Sequence, residues 1–329
     1  MILRGIDFGP CLDAAGLRGF MEDGYWFHRA PLIKRWYDFS GSTPVAKTVT
    51  LPSHAGNMPI ADRHEGYAPQ ELFPQCVWWS RRQGIVLNAI GFSNPGAGQL
   101  FSAGLLKAHG KNPFMISWGS AAPERAQRMK ECRGFTNILN TQLDFIPSLR
   151  KRLGLQINVS CANVHTEKLL AEEILEMLDV MNHLGIPLVV KIDVCMPLLD
   201  VLRIGKHPAC DALCTSNAIP FGVRGDAINW KTLFPHGSPL AKRSERFGNG
   251  ALSGEPLRKL VCEQIEAIRH VGITKPICAG GGVLRPSHVD KLVSAGLERG
   301  RDSIFIGSIA ILKPWNIRSV IERAHQLLR

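Results

Sequence analysis

The sequence predicts one α/β barrel of the (β/α)8 type over residues 1–329, with inserted loops at the C-terminal face. From Leu155 onward, short apolar runs alternate with amphipathic segments of helical period. These runs are apolar throughout, which is typical of parallel strands buried on both faces. A chain of 329 residues is long enough for one such barrel. A doubly wound parallel sheet is the alternative.

Along the chain, each predicted element has its own local signal. In the first half, strands are predicted at 45–49, 84–87 and 114–117, and helices near 99–107, 124–132 and 144–152. In the second half, the predicted strands are 155–159, 187–192, 212–215, 276–279 and 303–306. The predicted helices there are 166–184, 256–271, 286–295 and 317–328. The helix from Thr166 ends at Gly185 with Pro187 following, a common stop signal. Residues 26–75 are rich in Pro, Gly and aromatics and lack clear periodicity, which indicates either loops at the barrel mouth or a weak sequence signal.

Composition excludes several classes of protein. The chain is 45% hydrophobic and 20% charged without low-complexity tracts, so it is globular. Its net charge of +11 favours anionic ligands. The basic residues are scattered and lack interleaved aromatics, so they are interpreted as solvated surface, and no nucleic-acid partner is expected.

Cysteine usage and hydropathy predict the cellular compartment of the protein. The nine cysteines include no CxxC pair, which argues against zinc and iron–sulfur sites, and no metal is expected. Free thiols favour a reducing cytoplasm. The N-terminus lacks the apolar region of a signal peptide, and no stretch approaches the ~20 apolar residues of a membrane span.

The stretch Ile157-Asn-Val-Ser-Cys-Ala-Asn163 is the strongest candidate for a reactive centre. Polar residues begin where the predicted strand ends. Active sites and ligand-binding sites of parallel α/β folds lie at the carboxyl ends of the strands. There, Cys161 lies between Asn158 and Asn163. A thiol can carry a proton, and carboxamides can orient a planar polar substrate. A small buried thiol without a reactive role is the alternative for Cys161.

Glycines late in the chain predict a phosphate site. Gly280-Gly-Gly282 follows the strand at 276–279, Gly307-Ser308 follows the next strand, and Gly254 precedes an earlier helix. Glycines let backbone N–H groups approach an anion, and a helix N-terminus adds a favourable dipole. Tight turns with steric glycines are the alternative. The chain has no early GxGxxG and no GxxxxGK[ST] motif, which disfavours a dinucleotide fold and a P-loop.

Other strands also end in polar residues. Lys47, Asn88, Asn94 and Asn217 follow apolar runs, and Lys191 lies within one. A lysine in an apolar strand is costly unless it is paired or meets an anionic ligand. Pairing with Asp193, or extension of the side chain to solvent, is the alternative for Lys191. Two lysines, several carboxamides and a phosphate pocket together predict an FMN site, since lysines stabilise negative charge on a reduced flavin ring.

The sequence resembles the dihydroorotate dehydrogenase family of FMN-dependent barrels over nearly its whole length. The matching motifs are Asp13-Ala-Ala-Gly16, Val45-Ala-Lys-Thr-Val-Thr50, Gly56-Asn57, Leu87-Asn-Ala-Ile-Gly-Phe-Ser-Asn-Pro-Gly96, Asn158-Val-Ser-Cys-Ala-Asn163, Val190-Lys-Ile192, Ser216-Asn217, Gly250-Ala-Leu-Ser-Gly254, Gly280-Gly-Gly282 and Gly307-Ser308. A cysteine at the base position is similar to the soluble branch of the family, whereas the membrane-bound branch carries serine.

The resemblance implies a role for each candidate residue. Cys161 and Lys191 would be the catalytic residues, with Cys161 as the base. The substrate would be held by Asn88, Asn94, Asn158, Asn163 and Asn217. FMN would be bound by Ala15, Gly16, Lys47, Thr48, Asn88, Asn158, Lys191, Gly254, Gly281, Gly282, Gly307 and Ser308.

Three departures from the family pattern affect the substrate site. Ala162 replaces the usual proline, Ala218 replaces a hydroxyl residue, and the mobile loop after Asn163 is nearly missing. A shorter lid admits water and weakens electrostatic interactions. The long loop between Asn217 and Gly254 could supply another cover through Trp230, His236 or Arg243.

The leading hypothesis is a dihydroorotate dehydrogenase-like oxidoreductase of pyrimidine biosynthesis that produces orotate. The alternatives are an enzyme resembling tRNA dihydrouridine synthases, and a family member with a changed substrate or no activity. Fumarate, NAD through a partner flavoprotein, and oxygen stay open as electron acceptors. A homodimer is expected by resemblance to the soluble branch.

Overall fold

Within residues 1–22, 24–61, 67–164 and 170–329, which the computed structural model describes, eight parallel strands form the central sheet. They are β3 (Cys11–Asp13), β4 (Val45–Val49), β7 (Phe114–Trp118), β8 (Leu153–Asn158), β9 (Leu188–Ile192), β10 (Ala212–Thr215), β13 (Ile277–Ala279) and β14 (Ser303–Ile306). The strand order is β3-β14-β13-β10-β9-β8-β7-β4. A parallel bridge between Leu12 and Thr43 joins the two edges. The predicted (β/α)8 barrel is therefore confirmed.

Each barrel strand is buried on both faces, which explains the continuous apolar runs. On β9, Val189 packs into the barrel interior, while Val190 packs in the larger core that the helices share. The same alternation places Cys214 inside and Leu213 outside on β10. Side chains that point inward near the carboxyl ends of the strands therefore face the barrel mouth.

An N-terminal hairpin fills the opposite end of the barrel. Strands β1 (Ile2–Leu3) and β2 (Ile6–Asp7) pair antiparallel, and Phe8 packs with the inward residues Val45 and Ala212 at the beginning of their strands. Gly154 leaves room for this ring, because a Cβ there would lie 2.9 Å from Phe8 Cζ. With that end closed, the carboxyl ends of the strands are available for a site.

The helices surround the barrel, and those of seven or more residues each bury part of their surface against the core. In the described residues they are α1 (Trp26–Arg29), α2 (Ala97–Ala103), α3 (Arg125–Phe145), α4 (Ala171–Asn182), α5 (Leu198–Lys206), α6 (Trp230–Leu233), α7 (Leu257–His270), α8 (Pro286–Ser294), α9 (Ile309–Leu312) and α10 (Ile317–Leu328). On α10, Ile317, Val320, Ile321 and Ala324 are buried at helical spacing. No helix in the described part of the chain is long and apolar enough to cross a membrane.

Several predicted boundaries differ from the structure. The helix predicted at 124–132 continues to Phe145, and the helix predicted at 144–152 is a 3-10 turn, Pro147–Lys151. Pro147 ends α3 because proline lacks the N–H group and restricts Ile146 before it. The start of the helix predicted from Thr166 lies outside the described residues. Strand β3 and helix α5 were not predicted.

A second sheet lies beyond the barrel strands. It contains β11 (Ile219–Pro220), β12 (Ala251–Gly254), β6 (Ile85–Asn88) and β5 (Val77–Ser80), all antiparallel. The strand predicted at 84–87 is therefore β6 of this inserted sheet, and Asn88 and Gly254 end inserted strands. These insertions follow β4 and β10, so they extend from the C-terminal face.

Candidate active site

The thiol of Cys161 lies just beyond the end of β8. The backbone N–H of Asn163 donates to its sulfur, and the positive charges of Lys191 and Lys47 act on it. Burial raises the pKa of the thiol above its ordinary value of 9.0, while the hydrogen bond and the two lysines oppose that rise. The structure therefore brings Cys161 and both predicted lysines together at the barrel mouth.

Lys47 lies on β4 with only 7% of its surface exposed. Its Nζ donates to the carbonyl of Ser93 at 2.6 Å and lies 5.4 Å from the centre of the Phe20 ring. Burial lowers the pKa of Lys47 to about 8. Gly16 makes room for this side chain, because a Cβ there would lie 3.0 Å from Lys47 Cγ.

The lowered pKa of Lys47 predicts that stability depends on pH. The folded pKa is about 8 and the ordinary value is 10.5, so the unfolded state binds more protons between these values and stability rises with pH. We expect the cation to cost on the order of 3 kcal/mol below pH 8, and this cost to disappear by about pH 10.5. Urea unfolding of the wild type and Lys47→Met between pH 7 and 10.5 measures the difference. Equal pH slopes for the two proteins would contradict the prediction.

Lys191 lies on β9 and is 6% exposed. Its Nζ lies 5.3 Å from the centre of the Phe305 ring inside the barrel. Among the described residues, no ion pair includes Lys191, and Asp193 Oδ1 accepts the N–H of Cys195. The alternative of a pair with Asp193 is therefore wrong for this structure. A buried ammonium without a carboxylate partner suits an electron-rich ligand.

Carboxamides connect the ends of β8, β10 and β4. Nδ2 of Asn217 donates to Asn158 Oδ1 at 2.6 Å and to Ser160 Oγ at 3.0 Å. Nδ2 of Asn158 donates to Thr48 Oγ1 at 3.2 Å. Thr48 Oγ1 in turn contacts Ser117 Oγ at 2.9 Å. Four barrel strands thus share one polar network at the mouth.

Asn163 and Asn88 form a second carboxamide pair. Nδ2 of Asn163 donates to Asn88 Oδ1 at 2.5 Å. This contact joins the loop after β8 to the inserted strand β6. The inserted sheet therefore contributes a side chain to the same mouth as Cys161.

Asn94 differs from the other predicted asparagines. Its Oδ1 accepts the N–H groups of Thr50 and Gly96, and its Nδ2 donates to Thr50 Oγ1 and to the carbonyl of Phe92. All four hydrogen-bonding positions of the side chain are thus used within the protein. Asn94 pins the loop whose Ser93 carbonyl holds Lys47, and its contact with substrate stays a prediction.

The predicted phosphate glycines cluster at neighbouring strand ends. A Cβ on Gly282 would lie 2.4 Å from the carbonyl oxygen of Gly254, and one on Gly307 would lie 2.9 Å from Ala14 Cβ. Gly254, Gly281 and Gly282 have φ values of 110°, 139° and 70°, which side chains rarely adopt. Ala15 follows β3 in the adjacent turn, and Ser308 precedes α9. Because α9 has only four residues, the expected helix dipole contributes little there.

Sequence reasoning missed Ser160, and it missed the strands β11 and β12 in the stretch between Asn217 and Gly254. Ser160 Oγ donates to the carbonyl of Lys191 at 3.1 Å. Its hydroxyl next to Cys161 was the available signal. The indole of Trp230 donates to the carbonyl of Val223. Arg243 donates to the carbonyl of Val77 on β5 and to that of Gln75 just before this strand. A covering role for these residues stays a prediction.

Comparison with known proteins gives a distant relationship. The chain is similar to dihydroorotate dehydrogenase A. Over 220 residues it is 24% identical to "Dihydroorotate dehydrogenase A (fumarate)" from Lactobacillus delbrueckii subsp. bulgaricus, which covers 64% of this chain and 63% of the relative. The protein of the same name from Lactobacillus helveticus gives the same identity and coverage. The chain thus spans about 63% of the length of these relatives.

No family model matches the chain. Among solved structures, the tryptophan synthase α2β2 complex of Pyrococcus furiosus matches with a TM-score of 0.44 at 11% identity, covering 99% of each chain. The α-subunit with E103A from the same organism matches with a TM-score of 0.36 at 10% identity, covering 70% of this chain and 76% of the subunit. At these TM-scores the similarity carries no information on function.

Proposed function

We propose that this chain is an FMN-dependent oxidoreductase that converts (S)-dihydroorotate, or a related dihydropyrimidine, to orotate or the corresponding unsaturated ring. One observation carries the proposal: the Cys161 thiol shares the barrel mouth with two buried lysines that have no carboxylate partner among the described residues. The distant similarity to dihydroorotate dehydrogenase A supports the same reaction.

The residues present fit FMN. A Cβ at Gly254 would lie 2.2 Å from the Gly84 carbonyl oxygen, and one at Gly282 would lie 2.4 Å from the Gly254 carbonyl oxygen. Glycine therefore lets these backbone segments approach one another closely, and we call the packed turn at Gly254 and Gly282 the glycine cradle. With Gly281, Gly307 and Ser308 it would present backbone N–H groups to the phosphate. Lys47, Thr48, Lys191 and the turn at Ala15 and Gly16 would hold the ring system. When bound, FMN supplies a two-electron acceptor for the substrate.

Each side chain at the mouth has a role in this proposal. Cys161 takes the proton that leaves the substrate carbon, and the N–H of Asn163 together with both lysines stabilises the thiolate. Asn88, Asn158, Asn163 and Asn217 hold the polar ring of the substrate. Lys191 stabilises negative charge that develops during the reaction.

The electron acceptor and the setting of the enzyme are part of the proposal. Fumarate is the first acceptor to test, because the relatives carry it in their name. The enzyme works in the cytoplasm, either as a homodimer or together with an electron-transfer partner.

The test is anaerobic reduction of the bound flavin by dihydroorotate, dihydrouracil and dihydrothymine. We expect a yellow protein that dihydroorotate or another member of this panel bleaches. A yellow protein that none of the three bleaches would contradict the proposed reaction. Reduction only by dihydrouridine in RNA, with binding that weakens steeply with salt, would favour the tRNA dihydrouridine synthase-like alternative.

The glycine cradle gives a further prediction. Gly282→Ala places a Cβ within 2.4 Å of backbone, so we expect FMN binding to weaken by about 10-fold or more. Gly272→Ala is the matched control, because Gly272 has a similar φ of 79° but open space around its Cβ position. Binding of FMN to the flavin-free proteins, measured by fluorescence quenching, gives both affinities. An equal loss in the two variants would show that strain in φ, and not the cradle, is responsible.

A further inference from the structure

We propose that Ser160 fixes the orientation of the Asn217 carboxamide, so that Asn217 Oδ1 faces the ligand as an acceptor for a ring N–H. This inference rests on the proposed function and adds a residue that determines specificity. The proposal assigns Ser160 a positioning role, because it acts through Asn217.

The direction of each hydrogen bond follows from Ser160. Its hydroxyl carries one proton, and Oγ lies 3.1 Å from the carbonyl oxygen of Lys191, which can only accept. Ser160 Oγ must therefore accept from Asn217, which places Nδ2 of Asn217 toward Ser160 at 3.0 Å. The same Nδ2 donates to Asn158 Oδ1 at 2.6 Å. Within the described part of the chain, no hydrogen bond uses Asn217 Oδ1.

The other end of the network has no fixed direction. Asn158 Nδ2 donates to Thr48 Oγ1, but a hydroxyl can both donate and accept. Without Ser160, both carboxamides could turn by 180° and still satisfy each other and Thr48. Among the hydrogen bonds of the described residues, the bond from Ser160 to a main-chain carbonyl is the one that prevents this reversal. The hydroxyl beside Cys161 thus selects which polar atom of Asn217 is presented.

This orientation predicts discrimination between ligands of the same shape. A ring N–H can donate to Asn217 Oδ1, whereas a ring oxygen at the same place would set two acceptors against each other. The probes are orotate and its two analogues in which N1–H or N3–H is replaced by oxygen. We expect the wild-type holoenzyme to bind one analogue about 10-fold or more weakly than orotate.

The variants Ser160→Ala, Ser160→Thr and Ser238→Ala test the assignment. In Ser160→Ala the carboxamide can turn, so we expect this preference to fall to about 3-fold or less. Ser160→Thr keeps the hydroxyl and should keep the preference. Ser238 is a matched control, since its buried hydroxyl also donates to a carbonyl and accepts an N–H, but in the loop before β12. Ligand-induced changes in flavin absorbance give the dissociation constants, and bound flavin with an unchanged melting temperature shows that each variant is folded.

The outcomes separate this inference from the proposed function. If dihydroorotate bleaches the flavin but Ser160→Ala keeps the wild-type preference, the role of Ser160 is overturned and the proposed function stands. If Ser160→Thr loses the preference as fully as Ser160→Ala, the hydroxyl does not set it, and the inference is also overturned. If the wild type binds neither orotate nor its analogues, the inference is overturned, and the proposed function falls with it only if no member of the dihydropyrimidine panel bleaches the flavin.

Discussion

Replacement of Cys161 by alanine is expected to slow substrate-dependent flavin reduction by about two to four orders of magnitude, the usual contribution of a positioned general base. Flavin binding should change little, because the glycine cradle and the lysines stay in place. Cys262→Ser is the matched control, since Cys262 is a half-buried thiol on α7 away from the barrel mouth. Anaerobic stopped-flow absorbance measures the rate, and a rate for Cys161→Ala within about threefold of the control would remove Cys161 from the mechanism.

The pH dependence of the same reaction tests the chemical role of the thiol. Burial raises the pKa of Cys161 above 9.0, so the thiolate fraction grows as pH rises toward that pKa. The rate of flavin reduction should therefore increase with pH across the neutral and mildly alkaline range. In Cys161→Ser the weaker acid should move the rise to higher pH. A flat profile in both proteins would mean that another group takes the proton.

The barrel strands of the second half could be predicted because their signals are local. Strands β10 and β14 have the predicted bounds, and β8, β9 and β13 differ by one or two residues. Each is an apolar run with a turn signal at its end, and burial on both faces needs no long-range information. Cys161 could be placed at a strand end for the same reason.

Elements that depend on distant partners could not be predicted. The sequence does not show that β6 pairs with β12, because residues Asn88 and Ala251 meet only in the folded chain. Strand β3 has three residues, too few for a periodic pattern. Because the pairing of β6 with β12 is not visible in the sequence, the sequence could not show that Asn88 ends an inserted strand and not a barrel strand.

The length of α3 was missed for a different physical reason. The missed part contains Gly134, Asn140 and Thr141, residues of low intrinsic helix propensity. Phe135, Leu139 and Leu143 are nevertheless buried there at helical spacing. Packing of this apolar face against the core therefore extends the helix through residues whose local preference is against it.

The candidate site was predicted as a set of residue types and not as a network. The sequence indicated Asn158, Cys161 and Asn217, since each follows an apolar run. It did not indicate that Ser160 determines how Asn217 is oriented, because that depends on the carbonyl of Lys191 on a neighbouring strand. Hydrogen-bond direction is a property of the assembled strand ends.

Lys191→Met is expected to make the protein more stable and much less active. The ammonium is 6% exposed, and no ion pair among the described residues includes it, so methionine of similar length removes a desolvated charge and keeps the contact with Phe305. We expect the free energy of unfolding of the flavin-free protein to rise by about 1–3 kcal/mol. Flavin reduction should slow by about 100-fold or more, because a preorganised positive charge at the reacting ring is lost.

Stability and activity must move in opposite directions for the functional interpretation of Lys191 to hold. Lys206→Met is the control, since Lys206 is an exposed lysine at the end of α5 and should change neither quantity appreciably. Urea unfolding of the flavin-free proteins and anaerobic flavin reduction of the loaded ones give the two measurements. If Lys191→Met destabilises the protein, the lysine is a structural element of the barrel interior. If stability rises and activity persists, the charge serves neither the fold nor the reaction. A rise in stability with loss of activity is what a cation retained for an electron-rich ligand requires.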